Sequence, residues 1–146
     1  MRIYKPIKFQ GRKGETVKNS LIDTGASISL IPIELARLVG ARRTDHYVNV
    51  TGVHGQSRNL PIGQIGIFFP DLGDKGGNFL VAISDVEKDP IIGMDVLRPL
   101  GISIDTKTGE LSIKNEIWEA FKTLSALGVA FFFGIKILEK LFEEGE

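Results

Sequence analysis

One acidic residue stands between two apolar runs near the start of the chain. In SLIDTGASISLIP, residues 20–32, two aliphatic residues precede Asp23, a tight turn through Thr24 and Gly25 follows, and a second apolar run begins at Ile28. A carboxylate placed in an apolar setting is costly to desolvate unless something compensates for it. Asp23 is therefore either a turn residue that reaches water or a working acid with a partner.

Paired carboxyl groups are the chemistry that such an acid can supply. Two carboxyls held close together cannot both ionise cheaply, so they share one proton and titrate as a unit. One then takes a proton from a water molecule while the other protonates an amide carbonyl, which hydrolyses a peptide bond without a metal or a covalent nucleophile. Gly25 lets backbone amides approach the carboxylate, and Thr24 adds a small, stiff hydroxyl suited to fixing the loop.

The elements that must position this acid are predicted to be mostly strands. The chain has 17 glycines that punctuate short β-rich segments, which is typical of an all-β domain with many turns. Strands are predicted at 2–9 and 16–22, a long glycine-tipped hairpin at 47–69, a second hairpin turning within 70–78, and a third tipped by 106–109. The acids at 45, 71, 74, 85 and 89 are predicted in loops or turns.

Two short helices are predicted among these strands. Pro32 and Glu34 stand where a helix should begin, and Gly40 stands where it should end. DPIIGMDVL, residues 89–97, reads as a strand followed by a helical turn, with Asp95 as an acid at the start of that turn.

Together, LIDTGAS, the glycine-tipped hairpin VTGVHGQ at 50–56 and DPIIGMDVL resemble, in that order, the active-site loop, flap and second motif of the retropepsin-like aspartic proteases. The resemblance covers residues 1–113 and implies an all-β, retropepsin-like acid protease half-barrel with one or two short helices. It also implies an aspartic endopeptidase that binds a polypeptide substrate as an extended strand and uses no cofactor. Because the chain has one Asp-Thr-Gly, the enzyme must be a homodimer whose Asp23 meets its symmetry mate.

The resemblance also implies a role for each matching residue. Asp23 is the catalytic acid, and the rest of its loop comprises Thr24, Gly25, Ala26 and Ser27. The flap comprises Thr51, Gly52, Val53, His54 and Gly55, and the cleft wall comprises Ile91, Ile92 and Gly93. In this family the threonine hydroxyl bonds across to the partner's loop, Ile91 faces the cleft and Ile92 the core, and Gly93 packs beneath the acid loop.

Two positions depart from the retroviral pattern. Viral enzymes usually carry a paired acid and arginine where this chain has Ser27 and Met94. Since both positions differ together, neither is left with an unpaired charge. This pair of residues is more similar to the cellular and prokaryotic members of the family than to the viral ones. The departure leaves open how the edge of the dimer is held.

The C-terminal part of the chain differs in composition. From about Asn115 there is no proline, and residues 123–135 form an uncharged run of 13 residues bounded by Lys122 and Lys136. We expect residues 114–146 to form an apolar helix that either clamps the dimer or associates with a membrane. The run is short for a bilayer span, which needs about 20 residues, so burial against the partner subunit is favoured.

Composition narrows the remaining classes of function. Lysine plus arginine and aspartate plus glutamate both total 18, and only one short arginine group is present, which gives no indication of a nucleic-acid partner. Without cysteine, thiol catalysis is excluded, and His46 and His54 are too few to predict a metal site. The N-terminus lacks a signal-peptide core, which favours a cytoplasmic protein. Association with a membrane through the C-terminal helix is the alternative. The other function left open is a catalytically silent module that dimerises or binds peptides.

Overall fold

The structure is a computed structural model that describes residues 2–52 and 55–113. Residues 53 and 54 of the predicted flap and the whole of the predicted C-terminal helix, 114–146, lie outside the described residues. In chain order the elements are β1 (Ile3–Gln10), β2 (Glu15–Ile22), β3 (Leu30–Pro32), α1 (Ile33–Val39), β4 (Arg42–Thr51), β5 (Ser57–Phe69), a 3-10 turn (Pro70–Leu72), β6 (Lys75–Ser84), β7 (Ile91–Ile92), α2 (Met94–Leu97), β8 (Ile102–Ile104) and β9 (Leu111–Ile113).

Seven of the strands form one sheet whose order is β1-β2-β7-β3-β6-β5-β4. Because β1 also pairs with β5, six of these strands form a closed circuit of hydrogen-bonded neighbours, with β4 attached outside it. The strands β8 and β9 form a separate antiparallel pair. The all-β prediction with two short helices is therefore confirmed for the described residues.

The core follows from the two-residue period of the strands. In β5, Ile65, Ile67 and Phe69 are buried at every second position, and in β1 the buried residues Ile7 and Phe9 alternate in the same way. Successive side chains of a strand point to opposite faces, so this spacing directs all five into one interior. The core is thus enclosed by the circuit of strands that carries the acid loop.

Helix α1 ends where the sequence predicts. Gly40 adopts a left-handed conformation, φ 75°, and its amide donates to the carbonyl of Ala36. Glycine adopts this conformation without the steric cost that a side chain imposes. The turn between β1 and β2 rests on this helix end, since the amides of Arg12 and Lys13 donate to the carbonyls of Gly40 and Val39.

One part of the predicted organisation is wrong. Asp45 lies within β4, which begins at Arg42, and not in a loop. The register of β4 against β5 shifts between Arg43 and Tyr47, and the Thr44 hydroxyl donates to the carbonyl of Ile62 at this irregularity. Because this segment is mostly exposed and irregular, its sequence lacks the alternation by which a strand is recognised. The other four acids predicted in loops or turns lie outside the strands, as expected.

Candidate active site

Asp23 lies at the first position after β2, at the start of a loop that returns the chain to β3. Its backbone amide donates to the carbonyl of Ile92 at 2.9 Å, and its own carbonyl accepts from the amide of Ala26 at 3.2 Å. The Asp23 carboxylate accepts a hydrogen bond from the Gly25 amide, which donates to Oδ1 at 2.9 Å. A β-carbon at Gly25 would lie 3.2 Å from that oxygen, which shows how closely the backbone approaches the acid.

The loop is held from below by the second motif. Strand β7 runs parallel to β2, pairing Leu21 with Ile91 and Ile22 with Ile92, so the two motifs end side by side. The Met94 amide then donates to the carbonyl of Ala26 at 2.8 Å. A β-carbon on Gly93 would lie only 2.7 Å from that same carbonyl oxygen. Any larger residue at position 93 would therefore force the two segments apart.

A buried serine joins the same two segments by its side chain. The Ser29 hydroxyl donates to Asp95 Oδ1 at 2.7 Å and accepts from the Gly93 amide at 2.8 Å. The Ser29 amide donates to Asp95 Oδ2 at 2.9 Å. Asp95 does lie in the first turn of α2, as its sequence position suggests, but its carboxylate binds Ser29, which is fully buried. Sequence analysis missed this network, although an isolated serine between Ile28 and Leu30 was a signal for it.

The predicted site residues differ in exposure. Thr24, Gly25 and Ser27 are exposed, Asp23 and Ile91 are half-buried, and Ile92 is fully buried. Within the part of the chain that the structure describes, neither the Thr24 nor the Ser27 side chain takes part in a hydrogen bond, so Ser27 does not bind Asp23. Beside the loop lies an open groove of about 390 Å³ lined by Thr24, Gly25, Ala26, Ser27, Met94, Asp95, Arg98 and Pro99.

The predicted flap is the end of the hairpin formed by β4 and β5. Thr51 and Ser57 face each other across its end with their hydroxyl oxygens 3.2 Å apart, and the Gly52 amide donates to the carbonyl of Gln56. Gly55 has φ 83°, as a tight turn requires of a residue at this position. Val53 and His54, between these glycines, remain predictions.

A small apolar cluster joins the hairpin to the floor of the site. Its buried members are Leu30, Leu60 and Ala82, and its half-buried members are Ile28, Val48, Val50 and Ile91. These residues come from the hairpin, from β6 and from both motifs of the acid site. This apolar cluster therefore has contributions from the hairpin, from the apolar run after the acid loop and from the second motif.

A polar cluster ties the hairpin to the loop that precedes β7. Arg58 of β5 donates through Nη1 to the Ser84 hydroxyl at 3.1 Å and through Nη2 to Glu87 Oε1 at 2.5 Å, and Ser84 also donates to Glu87. Burial alone would raise the pKa of Glu87. Hydrogen bonds from Ser84, Arg58 and its own backbone amide, together with the charge of Arg58, outweigh burial and hold this pKa below its ordinary value.

Neither a metal centre nor a membrane span is formed by the described residues. Among residues 2–52 and 55–113, no three histidine, aspartate or glutamate side chains lie together in a way that could hold a metal ion. Within the same ranges, no helix is both long enough and apolar enough to cross a bilayer.

An aspartate loop seated on a glycine-bearing strand and helical turn, with a β-hairpin beside it, defines the retropepsin-like class of fold. Residues 6–96 match the family model for aspartyl proteases, and the chain belongs to this family. The resemblance found in the sequence is therefore confirmed.

Solved structures show the same fold. The EIAV protease, in complex with the inhibitor HBY-793, is 18% identical with a TM-score of 0.55, and the match covers 72% of this chain and 93% of that chain. The retroviral protease-like domain of Ddi1 from Leishmania major is 22% identical with a TM-score of 0.54, covering 79% of this chain and 90% of that one. No curated protein sequence matches the chain.

Proposed function

We propose that the protein is a homodimeric aspartic endopeptidase whose catalytic dyad is Asp23 and the Asp23 of a second copy. The observation that carries this proposal is the contrast between the backbone and the side chain of Asp23. Its amide and carbonyl are both fixed by hydrogen bonds, whereas among the described residues its half-exposed carboxylate receives one donor, from Gly25. A site built around one acid, in a chain with a single Asp-Thr-Gly, is completed by a symmetric partner.

Two such carboxyls can activate a water molecule between them. The ionised Asp23 takes a proton from water as the water oxygen attacks the carbonyl carbon of the peptide, and the protonated Asp23 gives its proton to the carbonyl oxygen. The tetrahedral intermediate then collapses: the carboxyl that took the proton from water gives it to the departing amine nitrogen as the C–N bond breaks, and the other carboxylate takes a proton from the hydroxyl that becomes the new carbonyl. The dyad is left with one shared proton, ready for another cycle.

The exposed face of the acid loop supports pairing between copies. Thr24 and Ser27 present hydroxyl groups that have no partner within the described residues, and the groove beside them is open to solvent. A second copy approaching about a two-fold axis through the site would cover these groups and bring the two loops together. The residual hydrogen-bonding capacity of Thr24 would then be met by its counterpart's loop.

The substrate class that fits this site is an extended polypeptide. The hairpin of β4 and β5 offers backbone groups near its tip, and Val48, Val50 and Ile91 offer apolar surface between the hairpin and the acid loop. A peptide bound as an added strand gains affinity from main-chain hydrogen bonds and specificity from pockets for alternate side chains. Cytoplasmic localisation and the membrane role of residues 114–146 stay predictions.

Replacement of Asp23 by asparagine tests the proposal. Asp23→Asn keeps the shape and the oxygen that accepts from Gly25 but cannot supply the carboxylate of the dyad. We expect the wild type to cleave a denatured protein mixture between about pH 4 and 7, and the variant to cleave nothing while remaining dimeric by sedimentation equilibrium. Asp45→Asn, at an exposed strand position, is the matched control and should leave cleavage unchanged.

Mixed subunits test whether the site is shared. When wild-type and Asp23→Asn chains are exchanged in equal amounts, about a quarter of the dimers carry two acids, so activity should fall as the square of the wild-type fraction. A linear fall would mean that each chain works alone and would overturn the shared dyad. A wild type that dimerises and binds peptides but cleaves none of them would favour the silent module instead.

A further inference from the structure

A cluster of Arg58, Ser84 and Glu87 joins the side chains of the hairpin to the end of β6 and the loop that follows it. Arg58 lies near the tip end of the hairpin, paired across it with Val50. Its guanidinium reaches two acceptors at once, the Ser84 hydroxyl at 3.1 Å and the Glu87 carboxylate at 2.5 Å. The Arg58 and Glu87 side chains are 29% and 22% exposed, so both charges are partly withdrawn from water.

Ser84 makes this more than an ordinary ion pair. It is fully buried at the end of β6, donates to Glu87, and accepts from both Arg58 and the amide of Val86 at 3.1 Å. Exposed ion pairs contribute little because two long side chains lose entropy and water competes for them. Here a buried hydroxyl binds both charged partners, and the guanidinium donates directional bonds to two different acceptors.

The loop held in this way leads directly into the site. Residues 85–90 connect β6 to Ile91, and the carbonyl of Pro90 accepts from the amide of Leu21 at 2.9 Å. Leu21 and Ile91 are paired strand neighbours two positions before Asp23 and Gly93 respectively. A shift of this loop therefore changes the surface beside Ile91, where the apolar cluster of the hairpin also ends.

We propose that Arg58 and Glu87 are positioning residues that hold the hairpin arm and the 85–90 loop at a set separation, and so determine which substrate side chains fit beside Ile91. This inference rests on the proposed function for its effect on cleavage, but not for its effect on the hairpin. Because Arg58 and Glu87 neutralise each other, neither is available to pair with a charged substrate. Their influence on specificity is exerted through the width of the site and not through direct attraction.

Hydrogen exchange measures the hairpin without reference to activity. In Glu87→Gln and in Arg58→Gln, the amides of residues 57–60, 62 and 85–89 should exchange about tenfold faster than in the wild type, the change expected when one charge-assisted bond is lost. The double variant should exchange more slowly than the product of the two single effects predicts, since both single variants remove the bond between Arg58 and Glu87. Asp74→Asn is the matched control, because it removes a different ion pair, between Lys8 and Asp74 at 3.2 Å, which lies outside the two segments measured. Asparagine tolerates the left-handed φ of 59° at this position.

Cleavage of a peptide library provides the second measurement. The two single variants should show a broader preference and a KM raised by about tenfold for the best wild-type peptide, with kcat changed much less and Asp74→Asn unaltered. If exchange in the two segments stays at the wild-type rate in both variants, the positioning role is refuted, whatever the activity. If exchange rises but an active enzyme keeps its peptide profile, the cluster stabilises the hairpin without determining specificity, and the proposal also fails. A wild type without cleavage counts against the proposed function alone, and exchange then decides whether the two residues position the hairpin.

Discussion

Replacing Asp95 should damage the fold through Ser29. The carboxylate accepts two hydrogen bonds from Ser29, from the hydroxyl at 2.7 Å and from the amide at 2.9 Å, and both donors belong to a residue with no exposed surface. Asp95→Ala removes both bonds and leaves the buried donors without their acceptor. Hydrogen bonds to charged groups contribute about 1.5–3 kcal/mol each. Because Asp95 is half-buried, the lower value applies.

The expected loss in the free energy of unfolding is therefore about 3 kcal/mol for Asp95→Ala. Asp95→Asn should lose only about 1 kcal/mol, since the amide oxygen can still accept from the Ser29 amide while the amide nitrogen donates to the Ser29 hydroxyl, reversing that bond. The asparagine variant should remain folded, because a domain typically has about 5–15 kcal/mol of stability. The contrast between the two replacements is the diagnostic quantity.

Urea unfolding followed by circular dichroism measures both losses. The protein concentration must be equal throughout, because the stability of an associating protein depends on it. Asp89→Ala removes an exposed acid and serves as the control for loss of charge alone. A loss below about 1 kcal/mol for Asp95→Ala, or equal losses for the two Asp95 variants, would contradict the assignment of these bonds.

Two further predictions concern the neighbouring contacts. Gly93→Ala should lower the free energy of unfolding by about 1–3 kcal/mol, because its β-carbon would lie 2.7 Å from the Ala26 carbonyl oxygen. Gly52→Ala is the control and should cost little, because the nearest atoms to its β-carbon belong to the Gln56 side chain, 3.5 Å away. Thermal unfolding compares the two variants, and similar losses of stability would refute the steric argument. The lowered pKa of Glu87 means that its ionised form stabilises the fold at neutral pH and that this contribution disappears as the pH falls through the lowered value. The stability difference between wild type and Glu87→Gln, measured from about pH 6 down to pH 3, should therefore shrink on acidification, and a difference that grows would show that the sign is wrong.

The sequence signals that indicate the candidate acid site and the fold class are local. Asp23 is followed by Thr24 and then Gly25, Gly40 ends a helix at a position that only a left-handed turn explains, and glycines mark the end of the long hairpin. Each of these features depends on a few adjacent residues whose conformational preferences are known. The fold class followed from many such signals pointing in one direction.

The side-chain networks could not be predicted in the same way. Ser29 and Asp95 are separated by 66 positions, and Arg58 and Glu87 by 29, so no local pattern relates them. Their contacts depend on the parallel pairing of β2 with β7 and of β3 with β6, which are set by tertiary packing. The prediction that Asp45 lies in a loop was wrong because a local signal was absent. The irregular, solvent-facing part of β4 that contains Asp45 has no alternation of apolar residues by which a strand could be recognised.

The closed circuit of strands has a consequence for how the protein avoids aggregation. Within the described part of the seven-stranded sheet, β4 is the one strand with a neighbour on a single side. An open backbone edge invites indiscriminate sheet extension by other chains, and charges and bulges along it discourage this. The end of β4 far from the hairpin tip carries Arg42, Arg43 and Asp45 together with a register shift, so this part of the edge discourages pairing with a strand of another chain, while the regular part near the tip, residues 47–51, stays open to a peptide.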